Sequence, residues 1–156
     1  MQLEPGSKAP DFSLPDEKGQ AHSLSDYLGK PVVLFFYPED DTPGCTKEAC
    51  NFRDDFSLYK QAGAVVLGIS PDDSKSHETF IEKYQLPFTL LADQGHKVCD
   101  QYGVWGPKKL FGHNYEGLIR TTFLIDAQGN IAEIFKVNKI SAHSEQVLSV
   151  LQTLNF

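Results

Sequence analysis

A chain of 156 residues, 40% hydrophobic and 22% charged, fits one domain over residues 1–156 and is large enough to bury a core without metals or disulfides. Its formal net charge of -7, with no Lys/Arg cluster beyond Lys108 and Lys109, argues against nucleic acid as a partner. The opening MQLEPGSKAPDF lacks the basic flank and apolar stretch of a secretory signal. The longest strongly apolar run, Val32 to Tyr37, falls far short of the roughly 18–20 residues that span a bilayer, so no membrane contact and a cytoplasmic location are expected.

In chain order, residues 10–31 carry a turn signal at DEKGQ and are expected to form a small N-terminal hairpin. PVVLFFYP, residues 31–38, is a continuous apolar and β-branched run, the pattern of a strand covered on both faces. A helix is predicted from Thr42, as N-cap, through Pro43 at the first helical position to a stop at Gly63. Ala49, Phe52, Phe56 and Tyr59 give it an apolar face.

AVVLGIS (64–70) reads as a second buried strand, SKSHETFIEKYQ (74–85) as a helix, FTLLAD (88–93) as a third strand and HKVCDQYG (96–103) as a short helix. GLIRTTFLID (117–126), the turn AQGN and IAEIFKV (131–137) read as a hairpin, and residues 141–154 as a closing amphipathic helix with Val147, Leu148 and Leu151 on one side. Alternating strands and helices followed by a hairpin imply an α/β fold, a central mixed sheet flanked by helices, similar to a thioredoxin-like core.

The chemistry concentrates in YPEDDTPGCTKEAC, residues 37–50, which holds two of the three cysteines. An odd cysteine count fits a stapled secreted scaffold badly and suits free or catalytic thiols. Behind Thr42 and Pro43, Cys45 falls at the third helical position, where a negative group meets unpaired N–H donors and the positive end of the helix dipole. An ordinary thiol is only about 3% ionised at pH 7, so full ionisation raises the thiolate population by about 30-fold. Larger acceleration needs donors that stabilise charge on the reacting group, for which Thr42, the first-turn N–H groups and a cation are candidates.

Of the two arginines, Arg53 lies eight residues along the helix and reads as a surface ion-pair partner. Arg120 begins an apolar strand, where it either snorkels at an edge or has a task. Lys47 is expected to point to solvent, and Glu39, Asp40 and Asp41 read as a solvated acidic loop. Cys50, five residues beyond Cys45, is either a small apolar helix residue or a reacting partner. On an ideal helix such residues have Cα atoms about 8.6 Å apart, beyond the roughly 6.8 Å limit of a disulfide, so a bond requires the first turns to unwind. Gly44 is expected to ease that unwinding. Cys99, between Val98 and Tyr102, reads as a buried inert thiol. The five histidines show no ligand spacing and no second cysteine pair exists, so no metal is expected.

Pro38-x-x-x-Thr42-x-x-Cys45, after a buried strand and opening a helix, resembles the active-site motif of the peroxiredoxins. PGCTKEAC, with VVLGISPD, FTLLAD, YGVWG and RTTFLIDAQGNI, resembles the bacterioferritin comigratory (Q-type) subfamily along almost the whole chain. The resemblance implies a cysteine peroxidase for hydrogen peroxide and organic hydroperoxides, without cofactor, monomeric, and recycled by thioredoxin. By matched position it implies Cys45 as nucleophile, Thr42 bonding the peroxide, Pro38 shielding the site, Arg120 holding thiolate and peroxide, Glu48 orienting Arg120, and Cys50 as the resolving cysteine that forms an intramolecular disulfide. A general thiol-disulfide oxidoreductase, disfavoured by the absence of Cys-x-x-Cys, and a non-catalytic redox sensor are the rival readings.

Overall fold

The computed structural model describes residues 2–137 and 139–154. A hairpin of β1 (Ser13–Pro15) and β2 (Ala21–Ser23) precedes β3 (Val32–Phe36), as the turn signal at residues 16–20 predicted. Then follow α1 (Pro43–Asp54), α2 (Phe56–Gln61), β4 (Val65–Ser70), α3 (Ser74–Tyr84), β5 (Thr89–Ala92) and α4 (Lys97–Gln101). β6 (Trp105–Leu110), β7 (His113–Leu118), β8 (Thr121–Ile125), β9 (Ile131–Lys136) and α5 (His143–Thr153) complete the chain. None of these helices is long and apolar enough to cross a membrane.

The central sheet runs β5-β4-β3-β8-β9, with β3, β4 and β5 parallel and β8 and β9 antiparallel. β3 lies in the middle, which is why its run is apolar without interruption. Val32, Leu34 and Phe36 pack on one face with Phe12, Leu24, Val98 and Tyr102, while Val33, Phe35 and Tyr37 pack on the other against Phe52, Tyr59, Phe80 and Val147. Gly68 in β4 leaves room for this packing, because a Cβ there would lie 2.7 Å from Leu90 and 2.8 Å from the Phe35 ring.

Two local readings change. The helix expected over 42–63 breaks at Asp55, and α2 restarts at Phe56, so that Ala49, Phe52 and Tyr59 are all buried and the Tyr59 hydroxyl donates to the Ser144 carbonyl at 2.6 Å. The break falls at Asp54-Asp55, residues that favour helix ends over interiors. The strand expected over 117–126 is two strands: its first residues belong to β7, which pairs with β6 as a separate antiparallel arm. The tip of that arm uses positive φ at Phe111 (51°) and Gly112 (80°), the geometry of a two-residue hairpin turn without the usual Asn or Asp at the first position.

Candidate active site

The site forms where the central strand hands the chain to α1. Thr42 is extended (φ -91°, ψ 156°), Pro43 opens the helix and Cys45 takes its third position, 2% exposed. The cap is not made by the threonine side chain, since its hydroxyl donates backwards to the Glu39 carbonyl at 3.0 Å. With its only proton so used, the hydroxyl offers a ligand its lone pairs.

Arg120 sits in the two-residue link between β7 and β8, just ahead of the strand it was expected to begin. That position lets its guanidinium reach over the start of α1: Nη2 donates to Cys45 Sγ at 3.2 Å and Nη1 donates to Glu48 Oε1. A Cβ on Gly44 would lie 3.3 Å from Nη2 and 3.4 Å from Ile140. Close approach of the arginine therefore gives Gly44 a role in the folded state as well, beside the ease of unwinding expected from propensity. Arg53 pairs with Asp54 at 3.0 Å and donates to the Tyr84 carbonyl, away from the thiol, and Lys47 is exposed, both as expected.

Glu48 is 1% exposed, and burial pushes its carboxyl up to about 7, against the pull of Arg120. Burial also works against charge on Arg120, but Glu48 and then Cys45 outweigh it and raise the guanidinium above its ordinary value. Only one Glu48 oxygen is satisfied. Oε2 has no hydrogen-bond partner, and His143 Nε2 at the start of α5 stands 3.7 Å away while sharing a 2.7 Å hydrogen bond with Thr122 Oγ1. Burial, with Arg120 adding, lowers His143 to about 4, so this imidazole is neutral. His143 and Thr122 were not anticipated; a histidine opening an amphipathic helix carries no ligand spacing, and only the tertiary fold brings it to Glu48.

All three cysteines are free thiols. α1 is continuous from Pro43 to Asp54, so Cys45 and Cys50 keep the helical separation that forbids a bond. Cys50 is half-buried, and burial raises its thiol, with Arg53 opposing and Asp54 adding. Cys99 is fully buried, as expected, and burial followed by Asp93 pushes it far up.

The acidic loop is not simply solvated. Asp40 accepts from the buried Tyr37 hydroxyl at 2.6 Å and from Ser76 Oγ at 2.8 Å, and it pairs with His77 Nδ1 at 2.7 Å. Asp41, in the left-handed region (φ 57°), accepts from Lys83 and Tyr84, each at 2.7 Å. Both acids tie the loop ahead of Cys45 to α3, though Asp41 stays exposed like Glu39, and it is Asp40 that departs from the solvated reading. A groove of about 380 Å³ lined by Pro38, Glu39, Pro71, Trp105, Lys108 and Tyr115 opens beside this loop. A smaller cavity, lined by Leu24, Val32, Ile125 and Gly129, touches none of these site residues.

A buried thiol at a helix start, held by an arginine from the distant link that leads into β8 of a mixed α/β sheet, defines a cysteine-based redox protein. The chain belongs to the AhpC/TSA family, whose model matches residues 5–134, and within it to the Bcp/Q peroxiredoxins. It is 53% identical over 151 residues to the putative peroxiredoxin bcp of Coxiella burnetii, covering 97% of this chain and 100% of that one. Peroxidoxin BcpB from Mycobacterium tuberculosis superposes with a TM-score of 0.88 at 36% identity, covering 99% of this chain and 100% of that one. The bacterioferritin comigratory protein of Xanthomonas campestris, studied for its alkyl peroxide reduction activity, superposes at 0.87 with 32% identity and 96% coverage of both chains. The fold is thus the thioredoxin-like peroxiredoxin fold.

Proposed function

We propose that this chain is a thiol-dependent peroxidase for hydrogen peroxide and organic hydroperoxides, working as a cytoplasmic, monomeric single domain with thioredoxin as its reductant. The observation that carries the reading is the 3.2 Å contact between Arg120 Nη2 and the buried Cys45 sulfur. A guanidinium there stabilises a thiolate before reaction and the oxygen under attack during it. The Cys45 thiolate attacks one peroxide oxygen, the O–O bond breaks, and a sulfenic acid and an alcohol or water result. Thr42 accepts the peroxide proton's hydrogen bond with its free lone pairs, Pro38 keeps bulk water off the loop, and Glu48 orients Arg120.

Cys50 then attacks the sulfenic sulfur, releasing water and closing a disulfide that thioredoxin reduces. The cycle calls for no prosthetic group. Closing the bond requires the first turns of α1 to open, and two features favour opening. Thr46 Oγ1 and Glu48 Oε2, both on those turns, are buried without partners, each costing on the order of 1–3 kcal/mol that water would relieve. Unwinding also lifts the burial that holds Cys50 protonated, restoring the thiolate that attacks.

One equivalent of hydrogen peroxide followed by disulfide mapping by mass spectrometry tests the scheme, alongside turnover with thioredoxin. A Cys45–Cys50 bond and many turnovers are expected. A bond from Cys45 to Cys99 would displace Cys50 from the resolving role, and an unoxidised Cys45 would end the peroxidase reading.

A further inference from the structure

Around the Glu48 carboxyl, among the described residues, stand Cys45 on its own helix, Arg120 from the β7–β8 link and His143 from α5. His143 spends Nε2 on a 2.7 Å hydrogen bond with Thr122 Oγ1 and stands 3.7 Å from Oε2, and burial lowers its pKa. Of these groups, Arg120 is therefore the one cation in hydrogen-bond contact with the two acids of this buried site. If both acids were ionised, the pocket would hold an unpaired negative charge, which burial penalises heavily. The unpartnered Oε2, with almost no exposure and no donor aimed at it, is the atom where a proton removes that penalty.

We infer that Glu48 stores the proton that completes peroxide reduction: it is a carboxylic acid while Cys45 is a thiolate and becomes a carboxylate once the sulfur is oxidised, so Arg120 faces one anion throughout. This rests on Cys45 being the peroxidatic residue. Thiolate and hydroperoxide give sulfenic acid and alcohol only when one proton is added. The S–O bond forms and the O–O bond breaks, the sulfur loses two electrons to the peroxide oxygen, and either the sulfenate or the alkoxide must then be protonated. With Glu48 as the source, thiolate, hydroperoxide and carboxylic acid become sulfenic acid, alcohol and carboxylate, and charge balances on both sides. The raised value of about 7 places the carboxyl where such an exchange occurs at neutral pH. Glu48 is hydrogen-bonded to Arg120 and makes no hydrogen bond to Cys45, so it is a positioning residue whose proton count changes with the sulfur.

The test uses the full chain carrying Cys50→Ser, which stops the cycle at the sulfenic acid with α1 intact. Infrared difference spectra before and after one equivalent of hydrogen peroxide should show loss of one protonated-carboxyl C=O stretch per Cys45 oxidised, oxidation being counted by mass spectrometry. The signal should vanish in Cys50→Ser/Glu48→Gln. A pH indicator in weak buffer, needing no Glu48 variant, should show no net proton uptake from solvent. Oxidation of Cys45 with one proton taken up and no carboxyl band lost, or the same band loss in the Glu48→Gln protein, would overturn the inference and leave the peroxidase reading standing. No oxidation of Cys45 would remove both.

Discussion

Helices α1 and α4 each carry a cysteine whose thiol burial disfavours ionising, yet they are built in opposite ways. In α4, Asp93 takes the amide protons of Val98 at 3.1 Å and Cys99 at 2.8 Å, so the start of the helix is clamped around a fully buried thiol. In α1, no side chain caps the start, two buried polar atoms have no partner, and Cys50 remains half-exposed. Burial alone therefore does not decide whether a thiol is inert. What separates the two is whether the surrounding helix loses or gains by opening.

The largest test of that contrast is Cys50→Ser, expected to oxidise at Cys45 once and then stop, with thioredoxin-dependent turnover lost; undiminished steady-state turnover would erase the distinction between the helices. Arg120→Met should slow the reaction of Cys45 with peroxide by about 10²–10³-fold in stopped-flow measurements, the scale of losing one donor to developing charge. Gly44→Ala sharpens the picture of α1. The added methyl presses on Arg120 and Ile140, so the peroxide step should slow by roughly tenfold even though alanine favours the helix by ~1 kcal/mol. On the other side, Cys99→Ala should leave turnover within about twofold while lowering stability by about 1–2 kcal/mol in denaturant melts.

The smallest effect concerns acid stability. His143 is held neutral down to about 4 in the fold but takes up a proton near 6.5 when unfolded, so its contribution to stability declines as pH falls from about 6.5 toward 4. His143→Gln should flatten that part of the stability profile, as read from unfolding midpoints at pH 7 and pH 4.5.

The parts of this molecule that were legible before the structure are those whose signal is local. An uninterrupted apolar run marks β3, and Thr-Pro before Cys45 marks a helix start. The reach of Arg120 to Cys45 was legible only through resemblance, because no periodicity relates residues 75 apart. His143, Thr122 and the tie between Asp40 and His77 were hidden for the same reason: their partners come from other elements. The β6–β7 arm was missed because WGPKKLFGHNYEGL alternates poorly and its turn places Phe111, 92% exposed, at a position that Asn or Asp usually fills. Asp55 was read through because the apolar spacing continued past it.

The pairing of β3 with β8, Val32 against Ile125 and Phe36 against Thr121, has a consequence for how the protein is made. Contacts between segments so far apart in sequence form late in folding and only after much chain is available. During synthesis Cys45 leaves the ribosome well before Arg120 exists, and it then lacks the guanidinium that reaches its sulfur in the finished fold. Its reactivity is thus withheld until the last strands dock, and a half-made chain meets peroxide with two ordinary cysteines, Cys45 and Cys50.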